Sequence, residues 1–302
     1  MTELLKHCRL CPRACGADRT RTRGLCGADA TLEAARASLH FWEEPPISGK
    51  NGSGTVFFSH CSLGCVFCQN RQISRREAAG RPISVESLAR TFLSLEQQGA
   101  HNINLVTGAH YAPHIIAALR LARAQGLHIP AVYNSSGYES PDTLALLDGW
   151  IDIYLPDYKY YSSYYAERYS HAPDYRETAV AAITEMVRQT GAPVYDEHGL
   201  LLRGTVIRHL MLPGLTGDTA QVLRDIAARF GDRVLVSLMR QYTPFAMQDW
   251  PELDRTITPE EYHEACALFR DLGLGGFFQQ SEAVSESFIP AFDGTGLEDI
   301  PT

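Results

Sequence analysis

Beyond about residue 54, short apolar stretches alternate with longer segments whose apolar residues recur on one side only. The apolar stretches, near 55–59, 103–107, 130–134, 151–155, 202–208, 234–238 and 275–278, predict strands. The intervening segments, near 84–98, 112–125, 141–148, 175–190, 218–229 and 259–271, predict helices with one polar face. Alternation of this kind predicts an α/β fold of parallel strands covered by helices, either an open doubly wound sheet or a complete or partial barrel. The loops favour the partial barrel. A cysteine run follows the first strand, "TGAHY" the second, "NSSGY" the third and "PDYKY" the fourth, which sets four unusual polar loops on the carboxyl rim. No Gly-rich dinucleotide fingerprint or phosphate-binding loop competes with them.

Three regions follow from composition. Residues 1–50 form a small cysteine-rich module and linker that leaves through "EEPPISGKNGSG", residues 51–280 form the barrel, and residues 281–302, with five acidic and no basic side chains, form an acidic extension. Residues 157–170 carry six tyrosines, readable as a segment packed by its rings or as a partner-docking surface. The formal charge of -8 disfavours non-specific nucleic-acid binding. The amino terminus lacks the apolar core of a signal peptide and no later run would span a bilayer, so a cytoplasmic protein with no membrane and no nucleic-acid partner is expected.

Seven of the eight cysteines fall within the first 68 residues. Cys61, Cys65 and Cys68 place three thiols on one short loop, where they can converge on a soft metal centre. Three is one short of a closed set, so a coordination position stays open. A structural zinc site completed by His60 or Cys266 is the competing reading. Phe67, beside the last thiol, is placed to pack on a flat purine. Cys8, Cys11, Cys15 and Cys26 make a closed set of four that suits Zn2+ or a second iron–sulfur cluster, with Arg9, Arg13, Arg19, Arg21 and Arg23 offsetting the charge. A disulfide-linked knot is the alternative. Thirty residues build little core, so a metal would supply much of this module's folding energy. Cys266 shares a helical face with Tyr262, Ala265 and Phe269 and reads as a small buried hydrophobe.

The run "CSLGCVFC" resembles the C-x3-C-x-aromatic-C pattern of the radical S-adenosylmethionine (radical SAM) superfamily. The stretches "HFWEEPPISG", "GSGTVFFS", "HNINLVTGAHYAPHI", "YNSSGYE", "IDIYLPDYKY" and "VIRHLMLPG" are similar to the uncharacterised iron–sulfur proteins related to pyruvate formate-lyase activating enzyme. The resemblance implies a partial (β/α)6-type radical SAM barrel. It implies a [4Fe-4S] cluster on Cys61, Cys65 and Cys68 whose open iron binds S-adenosylmethionine, and reductive cleavage to a 5'-deoxyadenosyl radical that abstracts hydrogen. Thr107 and Gly108 occupy the place of the family's Gly-Gly-Glu run, here without the glutamate. Asn134 and Ser136 match a third-strand turn that approaches the cofactor ribose and carboxylate. Asp157 and Lys159 match a D-x-K run, and Arg208 and His209 a fifth-strand segment in which alternation turns only one residue inward. The implied partners are an electron donor such as flavodoxin or ferredoxin and a glycyl radical enzyme, from which a glycine hydrogen would be removed. A radical SAM enzyme that modifies a small molecule, peptide or protein without a stable glycyl radical, and an iron–sulfur redox sensor, are the alternatives.

Overall fold

The computed structural model describes residues 2–78, 80–245, 247–279 and 290–297. Its strands are β1 Glu33–His40, β2 Ser53–Phe58, β3 Arg81–Pro82, β4 Ile103–Val106, β5 Ala131–Ser135, β6 Ile153–Pro156, β7 Val194–Tyr195, β8 Leu201–Leu210, β9 Leu235–Met239 and β10 Gly276–Phe278. The helices are α1 Thr2–Lys6, α2 Pro45–Ser48, α3 Arg71–Ser74, α4 Val85–Gln97, α5 Ala112–Ala124, α6 Pro141–Leu146, α7 Ser163–Ser170, α8 Tyr175–Thr190, α9 Thr216–Arg229 and α10 Pro259–Asp271. Caps set some of the ends. The Ser84 side chain accepts from Ser87 N–H to open α4, and a reciprocal Thr258–Glu261 capping box opens α10.

Strands β2, β4, β5, β6, β8, β9 and β10 are neighbours in chain order and pair in parallel. A doubly wound sheet would reverse its order partway, and this one does not. β1 covers the outer edge of β2 in antiparallel register, Ala34 opposite Phe58, and β3 pairs with β1, so the sheet is mixed and follows a partial barrel. β1 falls within residues 1–50, where the sequence predicts no strand. Its sequence, EAARASLH, has helical propensity, but Ala34 and Ala37 are small enough to lie buried beside β2, and strand pairing overrides propensity.

Alternation along the strands sorts side chains into two layers. Leu105, Tyr133 and Tyr154 pack with Leu88, Phe92 and Leu119 of the helices. Val132, Ile153, Leu155 and Val206 face inward, where they pack against Ile47 of α2. The Pro-rich connection therefore plugs the barrel, with the Ile47 carbonyl accepting from Asn102 Nδ2 at 2.8 Å.

The amino-terminal segment is not a discrete module. Leu5, Cys8 and Leu10 make a small cluster of their own, but Cys26, Ala28 and Leu32 belong to the barrel core. A chain of this length buries too little by itself and completes its packing on the barrel. Arg13 fastens it further, donating to the carbonyls of Ser62 (3.1 Å), His171 (2.6 Å) and Ser170 (3.2 Å).

Of the acidic extension, residues 290–297 run beside β1. Gly294 N–H donates to Ala35 O and Ala37 N–H donates to Thr295 O. The rest of residues 281–302 lies outside the described residues. Of the six tyrosines in 157–170, Tyr158, Tyr160 and Tyr169 are fully buried, whereas Tyr164 is exposed. No helix among the described residues is long and apolar enough to cross a membrane.

Candidate functional site

The carboxyl ends of β2, β4, β5, β6, β8 and β9 surround one cavity of about 230 Å³. It is lined by Cys61, Cys65, Phe67, Cys68, Thr107, Asn134, Ser136, Asp157, Lys159 and Arg208, which lie far apart in the chain. Two strand ends hold non-glycine residues in the left-handed region: His60 at φ 71° and Thr107 at φ 61°. For the β-branched Thr107 this conformation costs about 1–3 kcal/mol, and such strain clusters at functional sites. Gly137, at φ 75°, is the one residue type that fits its turn, because a Cβ there would stand 2.0 Å from the Asp157 carbonyl oxygen.

The cysteine loop is anchored from several sides. Val66 N–H donates to Tyr169 O at 2.9 Å. Each sulfur has a donor of its own: Leu63 N–H to Cys61 at 3.4 Å, Ser170 Oγ to Cys65 at 2.9 Å and Ser74 Oγ to Cys68 at 3.3 Å. Donors of this kind hold a ligating thiolate in place and tune the metal it binds. All eight cysteines are free thiols in this structure. Burial, reinforced by the neighbouring Cys65 and Cys68, pushes the Cys61 thiol up to about 12, and burial likewise raises Cys65. A metal replacing the protons would remove that penalty. Among the described residues no three His, Cys, Asp or Glu side chains form a ready-made site for a metal ion. The donor set fits a cluster, whose several irons each take one thiolate.

Phe67 is buried and meets Tyr160 and Tyr242 edge to face, with ring centroids 6.5 and 6.2 Å apart, while part of it lines the cavity. Opposite the thiols lies a charged network. Arg208 Nη2 stands 3.0 Å from Asp157 Oδ1, Nη1 stands 3.4 Å from Glu43 Oε2, and Nη2 also donates to Asn134 Oδ1 at 2.5 Å. Lys159 Nζ donates to the other Asp157 oxygen. Burial alone would raise the Asp157 carboxyl, but Lys159 and Arg208 outweigh it and hold the group below its usual range. Burial would likewise lower Lys159, but Asp157 and the Cys65 thiol raise it. Glu43 goes the other way: burial raises it despite Arg208. The network therefore keeps Asp157, Lys159 and Arg208 ionised within a largely buried wall.

His209 is turned away from the cavity. Strand alternation sends Arg208 inward and buries His209 between β8 and α9, where Nδ1 meets Tyr158 O at 2.7 Å and Nε2 meets Thr219 Oγ1 at 3.0 Å. Gly108 also lies off the cavity. A Cβ there would meet Ile115 at 2.5 Å, so its smallness serves strand–helix packing. Cys266 is buried on α10 among Tyr262, Arg270 and Arg240.

Burial holds His209 down to about 4, whereas an unfolded histidine titrates near 6.5. Between those values the unfolded chain binds the extra proton. Relative to a His209→Gln variant, the wild type should lose stability by about 1.4 kcal/mol per unit as pH falls through that window and keep a constant difference above it. Urea midpoints of both proteins at pH 7, 6 and 5 check this; a pH-independent difference contradicts it.

Several residues escaped sequence reasoning. Glu43 lines the cavity and accepts from Asn104 Nδ2 at 3.0 Å as well as contacting Arg208. Glu44 is buried beside it with Oε2 unpartnered, and burial raises its pKa. The signal was a pair of acids ahead of two prolines and one asparagine in the otherwise apolar β4. Ser74 and Ser170 carried no signal, because only folding brings them to the sulfurs.

A partial parallel barrel whose first loop presents three thiols to a polar cavity defines an enzyme class built round a cluster-bound cofactor. Residues 55–226 match the radical SAM superfamily, and the chain belongs to that superfamily. An uncharacterised protein of Methanocaldococcus jannaschii is 27% identical over 278 residues, covering 90% of this chain and 76% of that one. A radical SAM methyltransferase from Sphaerobacter thermophilus shares the fold at a TM-score of 0.53 with 14% identity, over 75% of this chain and 66% of that one. HydG, a maturase of the [FeFe]-hydrogenase, does so at 0.50 with 14% identity, over 76% of this chain and 52% of that one. The chain thus spans just under two thirds of the first structure and about half of the second, and both likenesses speak to fold alone. As a radical SAM enzyme the chain generates its reactivity from S-adenosylmethionine.

Proposed function

We propose that this radical SAM enzyme abstracts a hydrogen atom from a glycine in a partner protein's loop and so activates a glycyl radical enzyme. The carrying observation is the convergence of Cys61, Cys65 and Cys68 with Asp157, Lys159 and Arg208 on one cavity. The three thiols would hold a [4Fe-4S] cluster, which with S-adenosylmethionine would supply the 5'-deoxyadenosyl radical. Every other part is the chain's own work. Lys159 and Arg208 offer two fixed positive charges to the cofactor carboxylate, and Asp157 orients them. Asn134 and Ser136 offer hydrogen bonds to the ribose, Phe67 an aromatic edge to the adenine, and the strained Thr107 turn a polar group to the methionine amine. The missing family glutamate leaves that last contact to Thr107 and neighbouring carbonyls.

The access side supports a macromolecular substrate. Trp42, 62% exposed, lines the cavity at the end of β1, and Phe41 beside it is half exposed. Large apolar side chains at a cavity rim favour an inserted peptide loop over free solvent. The electron donor would be flavodoxin or ferredoxin, and Cys8, Cys11, Cys15 and Cys26 would hold a second iron–sulfur cluster or Zn2+.

The test is anaerobic electron paramagnetic resonance of the reconstituted, reduced protein. S-adenosylmethionine should shift the cluster signal, and a partner glycyl radical enzyme should then develop a glycine-centred radical. Deuterium passing into 5'-deoxyadenosine from a small metabolite, with no glycyl signal from any partner, would replace this reading with small-molecule chemistry.

A further inference from the structure

Among the twelve largest fully buried side chains, Arg19 is the one that carries a permanent charge; it is 1% exposed. A guanidinium stays ionised at any working pH, and burying it without an anion is costly. Its hydrogen-bond partners are two backbone carbonyls and one sulfur. Nε and Nη2 donate to Asp29 O, Nη1 donates to His110 O at 2.6 Å, and Nη1 stands 3.8 Å from Cys8 Sγ. The plane also lies over the Tyr111 ring, 5.7 Å from its centroid. Asp29, whose carbonyl takes two of these donors, turns its carboxylate to Thr31 N–H at 2.7 Å. Among the described residues no carboxylate is within ion-pair reach of Arg19, so the candidate anion is sulfur.

The other cysteines of the segment are close by. A Cβ on Gly24 would meet both Cys26 Sγ, at 3.5 Å, and Cys15 Sγ, at 3.7 Å, so this glycine sits against two of the four sulfurs. Cys11 lies near Cys8 and Cys26, and Cys26 near Cys8 and Cys15. Arg9, Arg21 and Arg23 point to solvent, which leaves Arg19 as the arginine buried against the set.

We infer that Arg19 is the internal counter-cation of an anionic metal–thiolate centre formed by Cys8, Cys11, Cys15 and Cys26, and that it clamps this centre to the loop after β4. The inference rests on reading those cysteines as a second metal site. Four thiolates around Zn2+ or around a cubane cluster both leave a net negative charge, and one fixed guanidinium inside the fold offsets it. Through His110, whose ring stands 6.5 Å from that of His60, the clamp reaches the residue preceding Cys61.

The test uses the full-length chain carrying Cys61→Ala, Cys65→Ala and Cys68→Ala, loaded anaerobically with iron and sulfide or with Zn2+. Retained metal then reports the amino-terminal centre alone, as about four irons or about one zinc per chain. Adding Arg19→Gln should speed removal of that metal by a chelator about tenfold or more, with Arg19→Lys intermediate. It should also shrink the rise in melting temperature on metal loading, because in the metal-free protein the substitution removes an uncompensated buried charge. An iron–sulfur centre should in addition become harder to reduce, since a positive charge has left its side. Absence of retained metal in the triple variant overturns the second centre and the inference with it. Retained metal with chelation rate and loading-dependent melting unchanged by Arg19→Gln overturns the role of Arg19 alone. If Arg19→Gln does not fold, Arg19→Lys decides, with unchanged chelation and melting again counting against the role.

Discussion

Replacing Cys61, Cys65 or Cys68 with alanine is expected to abolish reductive cleavage of S-adenosylmethionine and to remove about four irons per chain. Each thiol would hold a different corner of the implied cluster, and the two candidate substitutes, Cys266 and His60, are otherwise engaged. Cys266 is buried on α10, and His60 is engaged by Glu33 at 3.1 Å. Loss of one ligand therefore leaves an iron without protein attachment. Ser170→Ala and Ser74→Ala should behave differently, retaining iron while altering the cluster's spectrum or potential, because those hydroxyls contact sulfur and do not replace it. Iron content and 5'-deoxyadenosine formation under dithionite measure both. Undiminished cleavage in any one of the three cysteine variants would sink the assignment of the cluster to this loop.

Arg208→Ala should be the most damaging single change outside the cysteine loop, for folding and cofactor binding together. Its guanidinium is the common partner of Asp157, Glu43 and Asn134, and all of these side chains are largely buried. Removing it leaves carboxylates facing one another in a largely buried site, which costs about 3–5 kcal/mol. Glu43, already pushed upward by burial, would take up a proton, and Asp157 would keep only Lys159. Denaturant midpoints should show the loss, and S-adenosylmethionine binding should fall with it. Adding Glu43→Gln to Arg208→Ala should recover part of the stability, since one uncompensated acid is then gone. If Arg208→Ala unfolds at the wild-type midpoint and binds the cofactor as before, the network has no such role.

The seven parallel strands, the five long helices and the short α6 were legible because burial on both faces leaves short apolar runs and one-sided packing leaves a helical period. β1 and α7 were not. In EAARASLH the local preference is helical, and only the free edge of β2 makes a strand of it. In the tyrosine-rich segment 157–170 the reading as a segment packed by its rings holds for Tyr158, Tyr160 and Tyr169, which are buried, with Tyr160 sharing Ser170 with Cys65. Charge placement was equally hidden. Five arginines accompany the amino-terminal cysteines, and nothing in their order says that Arg19 is internal.

By itself the sequence determined the groups on offer: three thiols on one loop, four more near the amino terminus, and a rim of polar strand ends. Those are properties of residue type and spacing, which no packing arrangement alters. Only the tertiary structure decided which groups meet. It turned Arg208 inward and His209 outward, brought Glu43 from the Pro-rich connection into the barrel, and docked the amino-terminal segment on the barrel core. Such choices follow from burial and pairing between segments distant in the chain. Their energies depend on partners that local sequence does not name.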